Sequence, residues 1–375
     1  MEVANPYKIL EFLKIIGKHK ESANYMKETN IGLLIFGWTN KIVLYNNSSY
    51  KKENEEKIYN HNIFEINPDQ KKEYELFVCF NGNEGSKKLI FQIDNIYQYK
   101  LSDIKNIKTR VCIQFNKDCI ICNEKGLFQI NDFSSNIDQS KEISISTISY
   151  WNGIKLDSNI AVFTSNKILN NGEDEIIFYN YYNKKNVFSI KNYSFALSQN
   201  NLAKITIEEN RNIILLCACK KYKKSQKNGI LLLKLDLREN NLYKTFYDTK
   251  NNEVNCFCQI FEFTEFSYID NKKNKMKETN YFLVGGFNKE QNGFIKLYKM
   301  NYNEEEFEKT EIEYIQDIKI KKNFNGESNN FHGFKGNITF IGQSKYNGNI
   351  FVGCSDGSIH LLTFPNISSF ENLFD

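Results

Sequence analysis

The sequence predicts an all-β protein built from one repeated antiparallel hairpin, and three observations support this prediction. Phenylalanine and tyrosine, which favour strands, number 30 and 22 in 375 residues. Proline occurs only three times, so no proline-rich linker divides the chain. Short apolar runs, joined by turns that contain glycine or asparagine, recur along the whole sequence. All-β folds of this length often form one unit, and we expect a single domain over residues 1–375.

The clearest hairpin lies near the C-terminus, in NGNIFVGCSDGSIHLLTF at residues 347–364. Its first apolar run predicts a strand from Ile350 to Cys354, and its second predicts the returning strand from Ile359 to Phe364. The Asp-Gly pair between them is a turn sequence that accepts positive φ. The element is therefore an apolar run, a polar turn, and a second apolar run that closes on a large residue.

The same pattern predicts six earlier hairpins. In chain order, they cover residues 31–46, 75–94, 118–132, 159–180, 212–236 and 280–300. The large residues that close successive hairpins are 37 to 64 residues apart, as counted from Ile93 to Ile130 and from Tyr298 to Leu362. A repeat of ~40 to 50 residues with four short strands is typical of a β-propeller blade. The sequence therefore predicts a seven-bladed β-propeller of four-stranded antiparallel blades, with six or eight blades left open because asparagine-rich segments supply false turns.

A further strand should precede each hairpin as the first, inner strand of its blade. Apolar alternation places candidates at residues 143–151, 193–197, 254–263 and 336–343. A closed ring also needs one end of the chain to complete the blade of the other end, since an open edge invites aggregation. We expect YKILEFLKII, residues 7–16, to be this closing strand, although its apolar spacing also fits one face of a helix.

The last repeat, FHGFKGNITFIGQSKYNGNIFVGCSDGSIHLLTF at residues 331–364, resembles a WD repeat. It has that family's order of a glycine beside a histidine, an inner strand, a polar turn, a second strand, Asp-Gly and a third strand. The match is good at Gly333, Gly336, Asp356 and Gly357. The resemblance implies a divergent WD-repeat β-propeller.

Three positions depart from the family pattern. The family's histidine falls on Phe334, its strand serine on or near Cys354, and its closing Trp-Asp on Leu362-Thr363. In the family, the aspartate, histidine, serine and tryptophan form a buried hydrogen-bonded relay. The departures imply that Asp356 only forms a turn, and that apolar packing and the strand ladders hold this blade together.

Composition argues against nucleic acid and membrane partners. The net charge is only +4, and three arginines, Arg110, Arg211 and Arg238, are too few for a dedicated nucleic-acid reader. No run of ~18 apolar residues is present, so we expect no membrane insertion. The start, MEVANPYKILEFLKII, does not resemble a secretory signal, and we expect the protein to be cytoplasmic.

Candidate metal ligands and catalytic groups are sparse. The pairs Cys217/Cys219 and Cys256/Cys258 each share one strand face, so a four-thiolate zinc site is an alternative to packing between blades. The four histidines have no ligand spacing, and alternation predicts that His360 is exposed in the middle of a strand. No phosphate-binding glycine loop and no catalytic triad order occur. We therefore expect no metal, no cofactor and no enzymatic activity.

The expected function is that of a protein-interaction scaffold, the subunit of a complex. In WD-repeat propellers, the turn between the second and third strands lies on the face that usually binds partners. Trp38 falls on this turn in the first predicted blade, and Phe287 in the sixth. The loop before the last blade adds His332, Phe334 and Lys335. The resemblance implies that these five residues bind the partner, although Trp38 could instead pack against its own blade.

Two other functions stay open at this stage. A phosphoinositide-binding propeller would resemble this fold, but the Arg-Arg of its lipid clamp is missing, and only Lys220, Lys221, Lys223 and Lys224 could attract an anionic surface. A propeller enzyme would need carboxylates, histidines or metal ligands that converge in the central channel. The predicted inner strands offer mainly Ser, Thr, Asn and Cys.

Overall fold

The structure of the protein is a computed structural model. It describes residues 11–18, 23–29, 32–37, 41–45, 51–57, 61–66, 73–80, 86–92, 99–104, 111–116, 118–123, 125–130, 142–165, 174–191, 193–196, 198, 200–207, 212–220, 227–236, 238–264, 275–318, 334, 336–344 and 348–363. The strands in these ranges form four-stranded sheets, and every ladder with a described register is antiparallel. The only helix in these ranges is the 3-10 helix Phe307–Lys309. The all-β, antiparallel and four-stranded prediction is confirmed.

The chain forms two compact units. Unit 2 spans Lys27–Leu202 and Lys220–Gln226, and it contains four of the sheets apart from the first residues of β2. The strands of these sheets are β2 Ala23–Thr29, β3 Gly32–Gly37, β4 Lys41–Tyr45 and β5 Lys52–Lys57; β6 His61–Ile66, β7 Glu73–Phe80, β8 Ser86–Gln92 and β9 Tyr99–Ile104; β10 Val111–Phe115, β11 Asp118–Asn123, β12 Gly126–Ile130 and β13 Glu142–Ser146; and β14 Asn152–Lys155, β15 Ile160–Thr164, β16 Glu175–Asn180 and β17 Lys185–Lys191. Within each of these sheets, the spatial order follows the chain order.

Unit 1 spans Met1–Met26, Ala203–Cys219 and Lys227–Asp375, and it contains three sheets apart from Leu202. Two sheets follow chain order, and their strands are β18 Leu202–Ile207, β19 Asn212–Cys219, β20 Asn228–Asp236 and β21 Asn241–Lys250; and β22 Glu253–Thr264, β23 Lys275–Phe287, β24 Gly293–Asn301 and β25 Glu311–Asp317. The third sheet has the order β1-β28-β27-β26, with β1 Glu11–Lys18, β26 Ile338–Gln343, β27 Ile350–Cys354 and β28 Ser358–Thr363.

All seven predicted hairpins are confirmed as the two central strands of a four-stranded sheet. In the hairpin that the sequence shows most clearly, Ile350 lies opposite Leu362 and Gly353 lies opposite Ile359. Gly357 closes its turn with φ of 80°, a conformation that an L side chain rarely adopts. The pattern succeeds because each hairpin alternates apolar runs with a turn that glycine or asparagine can make.

The N-terminal segment joins the last sheet as a strand. β1 pairs antiparallel with β28, from Glu11 opposite Thr363 to Lys18 opposite Ser358, and two bulges interrupt the ladder. The strand prediction is therefore confirmed for residues 11–16, where the helix alternative is wrong, and the strand continues to Lys18. Residues 7–10, the start of the predicted segment, lie outside the described residues.

Two of the four predicted first strands are wrong. Residues 254–263 and 336–343 match β22 and β26, but residues 143–146 belong to β13, the fourth strand of the preceding sheet, and residues 147–151 lie in no strand. The next sheet begins instead with β14. Residues 193–197 precede β18 and contain the buried loop side chains Phe195 and Ala196. Alternating apolar residues occur in the first and the fourth strand of a sheet alike, so this pattern cannot tell the two apart. Buried residues in a loop can also give the same apolar pattern as a short strand.

Each unit has a core between neighbouring sheets. In unit 2, alternate residues of β11 and β15, such as Ile120, Ala161 and Phe163, pack in one buried cluster. In unit 1, Leu297 of β24 packs with Ile338 of β26 in a second cluster. Residues two apart lie on the same face of a strand, so each strand turns a row of apolar side chains towards the neighbouring sheet. Burial of each large side chain in such a row stabilises the fold by about 1.5–3 kcal/mol.

Two glutamines connect the first strands of the unit 1 sheets. The Gln259 side chain of β22 accepts from the backbone N of Thr206 at 3.0 Å and donates to its carbonyl oxygen at 2.6 Å. One sheet further on, Gln343 of β26 makes the same pair of bonds to the backbone of Phe261, at 2.7 and 3.0 Å. Each primary amide thus pairs with the outward N–H and C=O of the neighbouring first strand, as another strand would. We call these contacts the glutamine clamps.

Candidate protein-interaction surface

The turn between β23 and β24 is fixed by one asparagine. Asn288 Oδ1 accepts from the backbone N of Glu290 at 2.9 Å and of Asn292 at 3.0 Å. The backbone adds a bond from Asn288 N to the Asn292 carbonyl oxygen, also 3.0 Å. Short asparagine side chains stabilise turns in this way because they replace backbone acceptors. The exposed side chains of Lys289, Glu290 and Gln291 are therefore presented on a rigid support.

The loop before β26 lies directly against this turn. Gly293 N donates to the carbonyl oxygen of Phe334 at 3.2 Å. A Cβ atom on Gly293 would come within 2.2 Å of the Gly336 carbonyl oxygen, so only glycine permits this approach. Gly336 in turn lies against the β27–β28 turn, where its own Cβ would be 2.8 Å from Asp356 N. The two turns and the loop between them form one continuous backbone surface.

We call this region the turn surface: the β23–β24 turn at residues 288–292, residues 334 and 336, and the β27–β28 turn at residues 355–357. Ser355 Oγ accepts from the backbone N of Asn337 at 2.9 Å, and Ser355 N donates to the Asn337 carbonyl oxygen at 2.8 Å. These two bonds attach the loop to the second turn, as the Gly293 bond attaches it to the first.

A polar chain runs inward from the β27–β28 turn. Asp356 Oδ1 accepts from Ser358 N at 3.0 Å and from Ser358 Oγ at 2.6 Å, and Ser358 Oγ lies 2.9 Å from His360 Nε2. The imidazole of His360 meets the buried ring of Phe334 edge-on, with 5.2 Å between centroids. The expectation that Asp356 only forms a turn was therefore wrong. This blade has a polar chain, built from different residues than the WD-repeat relay.

The direction of the hydrogen bonds shows which ring nitrogen of His360 carries a proton. The Ser358 hydroxyl has one proton, and its 2.6 Å bond to the Asp356 carboxylate uses it. His360 must then donate from Nε2 to the serine oxygen, which excludes the tautomer with its proton on Nδ1 alone. Burial lowers the pKa of His360, while the charge of Asp356 raises it by less. In a catalytic triad the serine would donate to the imidazole, so this serine is not activated.

The pH dependence of stability should reveal this histidine. Because its pKa is lower in the fold than the 6.5 of an unperturbed histidine, the unfolded chain takes up more protons as the pH falls. The neutral His360 side chain makes its full contribution to stability above pH ~6.5, its pKa in the unfolded chain. That contribution is lost as the pH falls from there towards the lower pKa of His360 in the folded chain. His360→Gln keeps an amide donor for Ser358 but cannot titrate. Between pH 8 and pH 5, we expect the thermal unfolding midpoint to fall less in the variant than in the unchanged protein. If the midpoints of the two proteins fall in parallel, His360 does not have the lowered pKa.

The structure describes two of the five predicted binding residues. Phe287 is half-buried at the end of β23, opposite Gly293 and next to the turn. Phe334 is only 4% exposed and packs in the unit 1 core, so its ring contacts β28 rather than solvent. Trp38, His332 and Lys335 lie outside the described residues. A binding role for all five stays a prediction.

Sequence reasoning missed Asn288, Ser358 and His360. His360 was expected to be exposed, but it is half-buried against Phe334. A usable signal existed: Asp356, Ser358 and His360 are spaced by two, and residues at this spacing share one face of a strand.

Unit 2 has a different polar group at the corresponding end of β15 and β16. The buried Tyr150, which precedes β14, donates from its hydroxyl to Glu175 Oε1 at 3.4 Å. The backbone N of Glu175 donates to Ser165 Oγ at 3.1 Å, and Lys191 Nζ lies 4.0 Å from Glu175 Oε2. Burial raises the pKa of the Tyr150 phenol well above its usual value. A tyrosine, a glutamate and a serine thus hold this turn end in unit 2.

The cysteines of the described strands are reduced and mostly buried. Burial raises the pKa of Cys217 and Cys256 well above the usual thiol value, and it raises that of Cys258 to about 12. Such thiols stay protonated at neutral pH and are poor nucleophiles. In the described ranges, no group of three or more His, Cys, Asp and Glu is placed to hold a metal ion. No helix among the described residues is long and apolar enough to span a membrane.

The repeated four-stranded antiparallel sheets define the chain as a β-propeller protein. A solved structure supports this class: the β-propeller domain of Cps50 (Swd1) from Myceliophteria thermophila is similar, with a TM-score of 0.56. The similarity covers 93% of this chain and 98% of that one at 8% sequence identity, so it shows the fold alone. No family model matches the chain, and no curated protein matches its sequence. Membership of the WD-repeat family stays a prediction.

Proposed function

We propose that the protein is a non-catalytic scaffold that docks a partner protein on the turn surface. One observation supports this most strongly: two exposed turns and the loop between them are fixed by hydrogen bonds to their own backbone. A surface that is rigid before binding loses little conformational entropy when a partner arrives. The described part of this surface is suited to recognition, because its shape is already set.

The charges on the turn surface favour a protein partner. Lys289 and Glu290 are adjacent and exposed, and Asp356 adds a partly exposed carboxylate on the second turn. A mixture of both signs offers complementary contacts to another protein, whereas a polyanion would meet repulsion from the acidic groups. We propose that the chain acts in the cytoplasm as one subunit of a complex, with neither a nucleic acid nor a lipid bilayer as its main ligand.

The chemistry of the buried groups supports a non-catalytic role. Ser358 donates to a carboxylate instead of a histidine, and the hydroxyl is thereby stabilised rather than activated. Cys217 and Cys256 are buried thiols whose raised pKa values suppress the thiolate form. These groups are better suited to holding strands together than to attacking a substrate.

We also propose that the sheets are the seven blades of one closed ring, with β1 as the closing strand. The pairing of β1 with β28 supports this, because the first strand of the chain completes the last sheet. The four strands of each sheet and the similarity to a propeller domain support the blade assignment. Closure would remove the edge that β28 otherwise presents.

Affinity purification from cells that make the protein naturally, followed by mass spectrometry, tests the docking proposal. We expect a partner in stoichiometric amount. The charge swap Lys289→Glu with Glu290→Lys should reduce its recovery at least tenfold, because the net charge and the Asn288 turn are kept while both contact charges reverse.

The matched control is Arg238→Glu with Glu239→Lys, a similar exposed pair in the β20–β21 turn. This variant should retain the partner. The docking proposal is overturned if the chain purifies without any stoichiometric protein, or if both charge swaps reduce recovery equally.

A further inference from the structure

The sheet of β22 to β25 ends in a short, regular edge. β25 is its last strand, and it pairs with β24 alone among the strands that the structure describes. The ladder is regular from Glu311 opposite Asn301 to Tyr314 opposite Tyr298, and a bulge follows. In an antiparallel strand, every second residue directs its N–H and C=O away from its partner strand. We call residues 311–314 the β25 edge, and four residues at about 3.3 Å each make it about 13 Å long.

The β25 edge and the loop before it are held in place by buried side chains. Phe307, in the 3-10 helix of this loop, is buried, and its ring lies 6.3 Å from that of Tyr243 between centroids. Thr310 is also buried, and its Oγ1 accepts from the backbone N of Asn303 at 3.1 Å. Within the edge, Ile312 is buried. A strand that pairs here therefore has to order little of the chain, which reduces the entropic cost of binding.

Exposed glutamates surround the β25 edge. Residues 304–313 contain six glutamates and one lysine, and all seven side chains are exposed. The lysine, Lys309, forms an ion pair with Glu306, with 2.7 Å between Nζ and Oε2. The other five glutamates form no ion pair with the residues that the structure describes. They are Glu304, Glu305, Glu308, Glu311 and Glu313.

Glu313, in the middle of the edge, bonds to an amide rather than to a cation. Lys299 lies directly opposite it in the ladder, but the lysine ammonium lies over the ring of Tyr281, 5.7 Å from the centroid. Glu313 Oε2 accepts instead from Asn301 Nδ2 at 3.2 Å. Glu311 and Glu313 are two apart and share one face of β25. Both carboxylates can therefore meet the side chains of a strand added on the open side.

The charge of the β25 edge selects the occupant. Extended peptides bind open sheet edges through backbone hydrogen bonds, and the side chains select the sequence. Side chains of opposite charge attract across two strands, whereas like charges repel. An acidic segment or a second copy of this strand is therefore disfavoured, and a basic segment is favoured. We propose that the β25 edge is a second docking site, which adds a lysine- or arginine-rich, extended segment of a partner protein as a strand beside β25.

This site is separate from the turn surface. Beyond the bulge, the Asp317 carboxylate lies 3.8 Å from Lys296 Nζ, so the unpaired acidic charge lies at the Glu311 end of β25. β24 begins at Gly293, next to the turn surface, and ends at Asn301, opposite Glu311. Eight steps of about 3.3 Å place the two sites up to about 26 Å apart. A scaffold with both sites would hold one partner segment at each end of β24.

Fluorescence anisotropy with the full chain tests the proposal. The probe is a fluorescein-labelled, end-capped octapeptide of alternating valine and lysine. We expect it to bind, and to bind at least fivefold more weakly to Glu313→Lys. Glu313→Gln should give a smaller loss in the same direction, which guards against misfolding of the charge-reversed chain. The matched control is Glu239→Lys, because Glu239 is an exposed glutamate that accepts one side-chain hydrogen bond, from Tyr243. It should change the affinity less than twofold.

Two further probes separate strand addition from charge attraction alone. One is methylated on the backbone nitrogen of each valine and the other on that of each lysine, so both keep the charge and each lacks one alternate set of donors. One set faces β25 in a paired strand, and we expect one of the two probes to bind at least tenfold more weakly. The proposal is overturned if the first probe does not bind, if Glu313→Lys and Glu239→Lys bind it equally well, or if both methylated probes bind as tightly. None of these outcomes affects the turn surface, whose test uses Lys289 and Glu290.

Discussion

Replacing Gln259 by leucine should destabilise unit 1 by about 2–4 kcal/mol, because it leaves buried backbone groups without partners. Leucine has a similar size but no polar atoms. Thr206, which is 5% exposed, would lose the acceptor for its N–H and the donor to its carbonyl oxygen. The Thr279 carbonyl oxygen of β23 would lose its bond as well. Urea unfolding of the purified chain measures the loss.

Two further variants make this result specific. Gln259→Glu keeps the acceptor for Thr206 N–H but lacks the amide donor, so its loss of stability should be intermediate. Gln316→Leu changes a half-buried glutamine of β25 and should cost no more than about 0.5 kcal/mol. Equal losses for Gln259→Leu and Gln316→Leu would show that the glutamine clamp does not hold the first strands together.

Replacing Gly293 by alanine should lower the stability by about 1–3 kcal/mol and weaken partner binding. The new Cβ would lie 2.2 Å from the Gly336 carbonyl oxygen and 2.9 Å from Phe334 Cβ. Backbone cannot move aside as a side chain can, so the loop must separate from the β23–β24 turn. Thermal unfolding and the affinity purification described above measure the two effects.

Gly342→Ala is the matched control for this variant. A Cβ on Gly342 would meet only ring atoms of Phe340, at 2.8 Å, and a side chain can rotate away. We expect a smaller loss of stability and unchanged partner recovery. If the two alanine variants unfold at the same temperature and recover the partner equally, the close approach at Gly293 is not needed for the turn surface.

The hairpins could be predicted from the sequence because their signals are local. Asp356-Gly357 and the apolar runs on either side of it lie within one short stretch, and the same is true of each earlier copy. The first strands were harder, since the alternation in residues 143–151 fits the fourth strand of one sheet as well as the first strand of the next. Local pattern finds strands more readily than it assigns them to a sheet.

The glutamine clamps could not be predicted. Gln259 bonds to a residue 53 positions earlier, and Gln343 to one 82 positions earlier. A single glutamine in a strand has no local feature that marks such a partner. The polar chain of Asp356, Ser358 and His360 could have been predicted in part, because the spacing of two is visible in the sequence. The WD-repeat pattern pointed instead to Phe334 and Cys354.

The central claim is that a partner protein binds the turn surface, and amide hydrogen exchange of the purified complex tests it most directly. Exchange should slow, relative to the chain alone, at residues 288–292 and 355–357. It should stay unchanged at residues 181–184, the exposed turn between β16 and β17. Protection at residues 181–184, with none at either turn of the turn surface, would contradict the account.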